Sequence, residues 1–341
     1  MKHAMKILLP CLLPLALLFP LGGCSCGFDC NSNDNGNTDA ALLSLGLSDS
    51  LPEDLSEVVI EVDTITLRRS GVEDIVIDTF TIAALNLVDA ESFQVNLLNY
   101  QGVKQLLAIE NLELAPGFYN EISITILNSS VNESYVQQEN NDNRKALRVS
   151  SGFLNLPGIQ LDSGSQTFTV EFGLAQALEY NASTDTYVMT TNGVRIENNT
   201  TAARLSGTVD SALFNSVTPC SQKTVPTKGN RVYLYDGTGL LEENLADVFT
   251  SQSANTIPDN AIAPFAVASM VIDDFTDNWK YSFGFVPAGR YTIAFACDTE
   301  ADNAVNYDGL TIPLPIDQKY EITLSEAQNG VCNLGEAGGS C

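Results

Sequence analysis

Residues 115–127 read APGFYNEISITIL, and this stretch decides the fold. Ile122, Ile124 and Ile126 alternate with Glu121, Ser123 and Thr125, the period-two pattern of a strand with one buried face. Pro116 and Gly117 supply the turn before it, since proline fixes φ and glycine accepts φ > 0. Tyr119 follows two residues after the glycine, placed to pack its ring at a sandwich corner and send its hydroxyl to backbone.

The same period recurs on both sides. Val58, Ile60 and Val62 alternate with polar neighbours, then the phase slips at Asp63-Thr64 and resumes at Ile65 and Leu67, which predicts a bulge. Ile75, Ile77 and Thr79 predict another strand, as do Phe168, Val170 and Phe172. Helical periodicity is weak, with a short turn expected in 173–180 and another in 242–250, and residues 128–144 read as a polar loop. A second series opens at Leu205 to Val209 and continues through Arg231 to Tyr235, Ala266 to Ile272, Trp279 to Phe285, Arg290 to Ala296 and Lys319 to Leu324. Pro287-Ala288-Gly289-Arg290-Tyr291 repeats the corner motif in that series. The expectation is an all-β chain of two antiparallel β-sandwich domains, Ig-like or transthyretin-like, at 41–202 and 203–327, with a polar tail at 328–341.

Composition narrows the function classes. The 341 residues carry 16 Lys+Arg against 42 Asp+Glu, a formal charge of −26, which argues against a nucleic-acid partner because a phosphate backbone needs clustered basic residues. Hydrophobic residues make up 44% of the chain, enough to build cores. The single histidine is His3, so a Ser-His-Asp or Cys-His site and His-ligated zinc are excluded from a chain that loses its first segment.

That first segment has a basic start, Lys2 and Lys6, then an apolar run from Ile7 to Leu21 broken by Pro10, Pro14 and Pro20. It falls short of the about 20 apolar residues of a spanning helix and reads as an export signal over 1–23. Leu21-Gly22-Gly23-Cys24 resembles the lipobox of bacterial lipoproteins, in which the cysteine is acylated and becomes the new N-terminus. An ordinary secretory signal is the competing reading. By the same resemblance Ser25, a residue other than Asp, directs the product to the outer membrane. Cleavage removes Lys2 and Lys6 and no acid, taking the charge to −28, so acyl chains and not a basic patch would hold the protein at the membrane. Residues 24–40, polar and rich in Asn and Gly, read as a tether. Asn31, Asn33, Asn35 and Gly36 imitate the start of a calcium loop, but its twelfth position would be Leu42 and not Glu.

Three segments carry a family resemblance: LSLGLSDSLPEDLSEVVIEVDTITLRR, LELAPGFYNEISITI and LRVSSGFLNLPGIQLDSGSQTFTVEFGLAQAL. Over residues 42–200 they resemble the bacterial lipoprotein family catalogued as domain of unknown function 4382. The resemblance implies an envelope lipoprotein without established chemistry, and an opening strand that ends in an Asp turn, here Ser48-Asp49-Ser50. Ser50-Leu51-Pro52 stands where that family often has Ala-Pro. LSGTVDSALF and FVPAGRYTIAFAC resemble the transthyretin-like, carboxypeptidase-regulatory type of sandwich.

Candidate chemistry is sparse. Asp162-Ser163-Gly164 matches the aspartic-protease triplet but occurs once, where a tight turn explains it. Ser221 and Lys223 are a conceivable dyad in a loop, and Gly237-Thr238-Gly239 reads as a hairpin turn. Asp298, Glu300, Asp302 and Asp308 cluster after a strand, where an oxygen-rich loop suits Ca²⁺; a solvated acidic loop is the plainer reading. Without Cys11 and the acylated Cys24, six cysteines remain, allowing 15 connectivities. Local pairing of Cys26 with Cys30 and of Cys332 with Cys341 leaves Cys220 and Cys297, both at strand ends of the second series, as the expected disulfide. A free Cys220 and a buried Cys297 thiol are the alternative. The function expected is a non-catalytic binding or structural module of the cell envelope, with an envelope protein or glycan as ligand. A carboxylate-dependent glycoside hydrolase is the competing class.

Overall fold

The computed structural model describes residues 40–50, 54–139, 141–273, 275–335 and 339–341. The export signal, the lipobox and almost all of the tether, including the Asn31 to Gly36 imitation, lie outside them.

The architecture is all-β, in two sandwiches. In the first, a sheet of four strands runs in the order Val194–Asn198, Gly164–Gly173, Ala41–Ser50, Leu106–Leu114. Its partner sheet is built around the 14-residue strand Leu55–Arg68, with Gly117–Leu127 and then Phe153–Leu161 on one side and Tyr135–Gln138 on the other. Leu43, Leu45 and Leu47 from one sheet meet Val58, Ile60, Ile65, Ile122 and Ile124 from the other in a single core. Burial of such side chains contributes about 1.5–3 kcal/mol each. The register slip falls between Val62 and Thr64, opposite Ile126 and Thr125, which lets Val62 and Ile65 both face inward.

The second sandwich pairs the sheet Val271–Asp273, Asn278–Val286, Ala203–Val209, Asn329–Val331 with the sheet Ala266–Ser269, Arg231–Asp236, Gly289–Ala296, Lys319–Leu324. Its core joins Leu205, Phe214, Val232, Phe283 and Phe295. A satellite cluster of Tyr233, Tyr235, Leu245, Val248 and Ile312 forms where the loops at 240–262 and 298–318 cover the far face of the second sheet. Both corner tyrosines close their turns in the same way. The Tyr119 hydroxyl donates to the Ala115 carbonyl at 3.0 Å, and the Tyr291 hydroxyl to the Pro287 carbonyl at 2.9 Å.

Several local expectations change. Asp49 does not turn the chain: Ala41–Ser50 is a continuous strand, pairing in parallel with Gly164–Gly173, and Asp49 lies within it opposite Phe172. The polar loop at 128–144 contains the strand Tyr135–Gln138, which pairs with Leu55–Arg68. The segment read as a polar tail belongs to the second sandwich. Asn329–Val331 runs parallel to Ala203–Val209, and Cys332 and Leu334 are buried in its core. Their amides donate to Ser206 O at 2.9 Å and Thr208 O at 2.8 Å, which satisfies backbone that burial would otherwise leave bare. The expected helical turns are Leu174–Ala177 and a 3₁₀ turn at Glu242–Asn244.

Candidate functional site

Two places gather chemistry-bearing side chains: a charged seam between the sandwiches and an open cleft at the end of the second.

Strand alternation builds the seam. Val170, Phe172, Val194 and Ile196 face the first core, so Glu171, Arg195 and Glu197 share the opposite face of the sheet. That face meets the second sandwich. Arg195 Nη2 donates to Phe285 O at 3.2 Å, and its guanidinium lies 4.7 Å from the centroid of the Phe265 ring. Glu197 Oε1 is 3.7 Å from Arg195 Nε. Gln176 Nε2 donates to Pro264 O at 3.0 Å, and Asn192 Nδ2 to Ala304 O at 3.2 Å, across the same junction. Asp49 and Glu171 are 0% and 1% exposed, and no side chain among the described residues hydrogen-bonds the Asp49 carboxyl.

Burial sets the proton affinity of these acids. It raises the Glu171 carboxyl to about 7, against the pull of Arg195 and the Ser48 hydroxyl and with the help of the Glu197 charge. It also raises Glu197 to about 7, opposed by Arg195. Asp49 is pushed well above the usual carboxylate range, first by burial and then by Glu171.

The cleft occupies about 370 Å³ at the end of the second sandwich, within the size range of ligand sites. Trp279 lines it, its ring edge-on to Phe214 with centroids 5.5 Å apart. Asp210, Asp277, Asn278 and Asn333 supply its polar wall. Asn333 Oδ1 is held by the amide and hydroxyl of Thr208, both at 3.0 Å, and one Asp210 oxygen by the Ala212 amide at 2.9 Å. One aromatic ring among carboxylates and amides can take a ligand that has an apolar face and a rim of hydrogen-bond donors.

The residues singled out in the sequence fall as follows. Cys24, Leu21, Gly22 and Gly23 lie outside the described residues. Cys220 and Cys297 are joined, with Cα atoms 5.6 Å apart and both sulfurs in the second core; Cys332 and Cys341 are joined as well. The four acids of the loop do not converge on one point. Among the described residues no three acidic, cysteine or histidine side chains come together as metal ligands. Asp298, Glu300 and Asp308 stay at the surface, whereas Asp302 turns inward. There its carboxylate accepts from Arg231 Nη1 at 3.0 Å, from the Tyr233 hydroxyl at 2.6 Å and from the Val248 amide at 3.0 Å. That buried pairing spends the acceptor atoms a cation would need.

The minor motifs resolve into structure. Asp162 and Ser163 form the turn between Phe153–Leu161 and Gly164–Gly173. Lys223 Nζ is committed to Asn230 Oδ1 at 3.0 Å and to the carbonyls of Lys228 and Cys297. Gly237 and Gly239 follow the Arg231–Asp236 strand in a turn, where the Gly239 amide donates to Glu321 at 2.6 Å. Sequence reading missed the seam. The available signal was a lone Glu171 inside the run Phe168–Phe172, an acid on a strand whose neighbours leave it no solvent.

Comparison with known proteins adds little beyond the first sandwich. None of the curated proteins matches the sequence. Among solved structures, the chain is 9% identical to the TIE protein of Bacillus anthracis, covering 87% of this chain and 34% of that one, with a TM-score of 0.17. It is 10% identical to the major pilin subunit of Bacillus cereus, over 84% and 62% of the two chains, TM-score 0.18. For a fimbrial protein from Bacteroides ovatus the values are 7%, 88%, 49% and 0.17. Scores of this size establish neither a shared fold nor a shared function. The family evidence is of a different kind: residues 40–191, nearly all of the first sandwich, match the family described as Domain of unknown function (DUF4382).

Proposed function

We propose that this protein is a non-catalytic binding or structural module of the bacterial cell envelope, acylated at Cys24 and directed to the outer membrane, with the Trp279 cleft as its ligand-facing end. The lipobox and the basic, apolar export segment support the anchor. The observation that carries the binding reading is the separation of the two chemistries. The carboxyls that burial has lifted to about 7, Glu171 and Glu197, lie in the seam and do not line the open cleft, which presents an aromatic ring and hydrogen-bonding groups. A general acid must reach its substrate. A partner protein or a glycan of the envelope has the mixed apolar and donor surface such a cleft accepts.

Trp279 is the only tryptophan, so its fluorescence reports on the cleft alone. The mature chain titrated with envelope glycan fragments and with solubilised envelope proteins is expected to show a saturable change in emission. It is also expected to leave nitrophenyl glycosides intact. Turnover of such glycosides that disappears in Asp210→Asn or Asp277→Asn would replace this reading with a carboxylate-dependent glycoside hydrolase.

A further inference from the structure

We infer that the junction between the two sandwiches is proton-controlled: it stays closed while the buried Glu171 and Glu197 carboxyls hold protons, and it loosens when both are ionised.

The argument begins with a charge count. Glu171 and Glu197 stand on adjacent strands of one sheet face, with Arg195 beside them and Ser48 on the next strand opposite Glu171. The second sandwich brings Phe265, the Phe285 carbonyl and Tyr291, with Asp236 beyond Tyr291. Tyr291 is neutral, its hydroxyl donated to the Pro287 carbonyl. Fully ionised, the junction would set Glu171 and Glu197 against one guanidinium. Removing unpaired charge from water costs several kcal/mol per ion after relaxation, and one arginine cannot offset two carboxylates.

Two routes relieve the excess: uptake of protons or entry of water. Protonation is compatible with the closed junction, because a neutral carboxyl needs only ordinary hydrogen bonds. Ionisation favours water, and water reaches Glu171 only if the sheet face parts from the second sandwich. That parting must also release the Arg195–Phe265 contact, the Asp54–Lys228 ion pair and the packing of Ala175 on the satellite cluster of the second sandwich. The direct bonds across the junction near these acids are single hydrogen bonds from Gln176, Asn192 and Arg195 to backbone carbonyls, and each carbonyl can exchange its partner for water. Each sandwich keeps its own core when they part.

The direction follows from linkage. Both glutamates have native values near 7, above the ordinary 4.5, so the closed form binds more protons than the open form between those values. Closure is therefore favoured below that window and weakened as pH rises through it.

Hydrogen exchange of the detergent-solubilised full-length chain, read by mass spectrometry between pH 5 and pH 9 and corrected for intrinsic rate, tests this. Protection of the Val194–Asn198 and Asn278–Val286 strands is expected to fall about tenfold or more across the window, one proton per pH unit being a tenfold linkage. Protection within Gly117–Leu127 and Arg231–Asp236 is expected to hold. In the Glu171→Gln, Glu197→Gln double variant the pH dependence should vanish. Constant protection of the junction strands in the wild type overturns the proposal. So does loss of protection in step with the two cores, or an unchanged pH dependence in the double variant. The wild-type series decides the matter alone if the double variant fails to fold.

Discussion

A Cβ built on Gly284 would lie 1.8 Å from the carbonyl oxygen of Gly102, so the two sandwiches meet backbone to backbone at this pair. No side chain stands between them, and the acceptor is main chain that cannot swing aside. Gly284→Ala should therefore push the sandwiches apart or strain the strand, at a cost of about 1–3 kcal/mol. Urea denaturation of wild type and variant checks this. An alanine at exposed Gly71, where the built Cβ meets nothing within 4 Å, would strain only the local backbone, which has φ +80°, and serves as the comparison.

Stability should be greatest in mild acid. Glu171 rises from 4.5 to about 7 on folding, so the native state holds a proton that the unfolded chain has released. Stability is full below about 4.5, declines as pH climbs to about 7, and is level thereafter. At about 1.36 kcal/mol per pKa unit the loss from Glu171 is roughly 3 kcal/mol. Denaturation midpoints at pH 5 and pH 8 should differ in that direction, and Glu171→Gln should flatten the curve.

The disulfides should contribute unequally. Cys220 and Cys297 close a separation of 77 positions, worth roughly 4.5 kcal/mol on the chain-entropy model; Cys332 and Cys341 close 9, worth about 2.6. The Cys220→Ala, Cys297→Ala variant should melt well below the Cys332→Ala, Cys341→Ala variant. Peptide mapping without reductant should recover both pairs.

Calcium should not stabilise the fold beyond the effect of magnesium at equal ionic strength. Asp302, central to any site in the 298–308 loop, already holds Arg231 and Tyr233. A melting curve in calcium against one in chelator measures this. A rise specific to calcium would mean that Asp302 turns outward.

Acylation of Cys24 is expected from the residues before it. Cells fed a clickable palmitate analogue should label the wild type and not Cys24→Ala. Equal labelling of the two would remove the anchor from the proposed function.

Much of the fold was legible because its central strands have one face each. Ile122, Ile124 and Ile126 could point only inward, and the slip at Asp63 had to be absorbed by a bulge. The corner tyrosines were legible because turn chemistry is local. Short strands were not. Tyr135–Gln138 and Asn329–Val331 have too few residues to display a period, and polar neighbours surround them. Their pairing is set by partners far away in sequence. The seam was illegible for a related reason. Glu171 stands between Val170 and Phe172, and only the antiparallel pairing of its strand with Val194–Asn198 sets it beside Arg195. In the acidic loop the spacing resembled a ligand set, but Asp302 answered to Arg231 and Tyr233, which are 71 and 69 positions away.

The place of the Ala41–Ser50 strand has a mechanical consequence. It is bonded on one side to Gly164–Gly173 through ten paired positions and on the other to Leu106–Leu114. Tension arriving through the residues ahead of Ala41 would draw this strand along its own axis. Both ladders would then be loaded in shear, with many hydrogen bonds bearing the force together instead of parting one at a time. A domain hung by an interior strand resists being pulled by its N-terminal end far better than one hung by an edge.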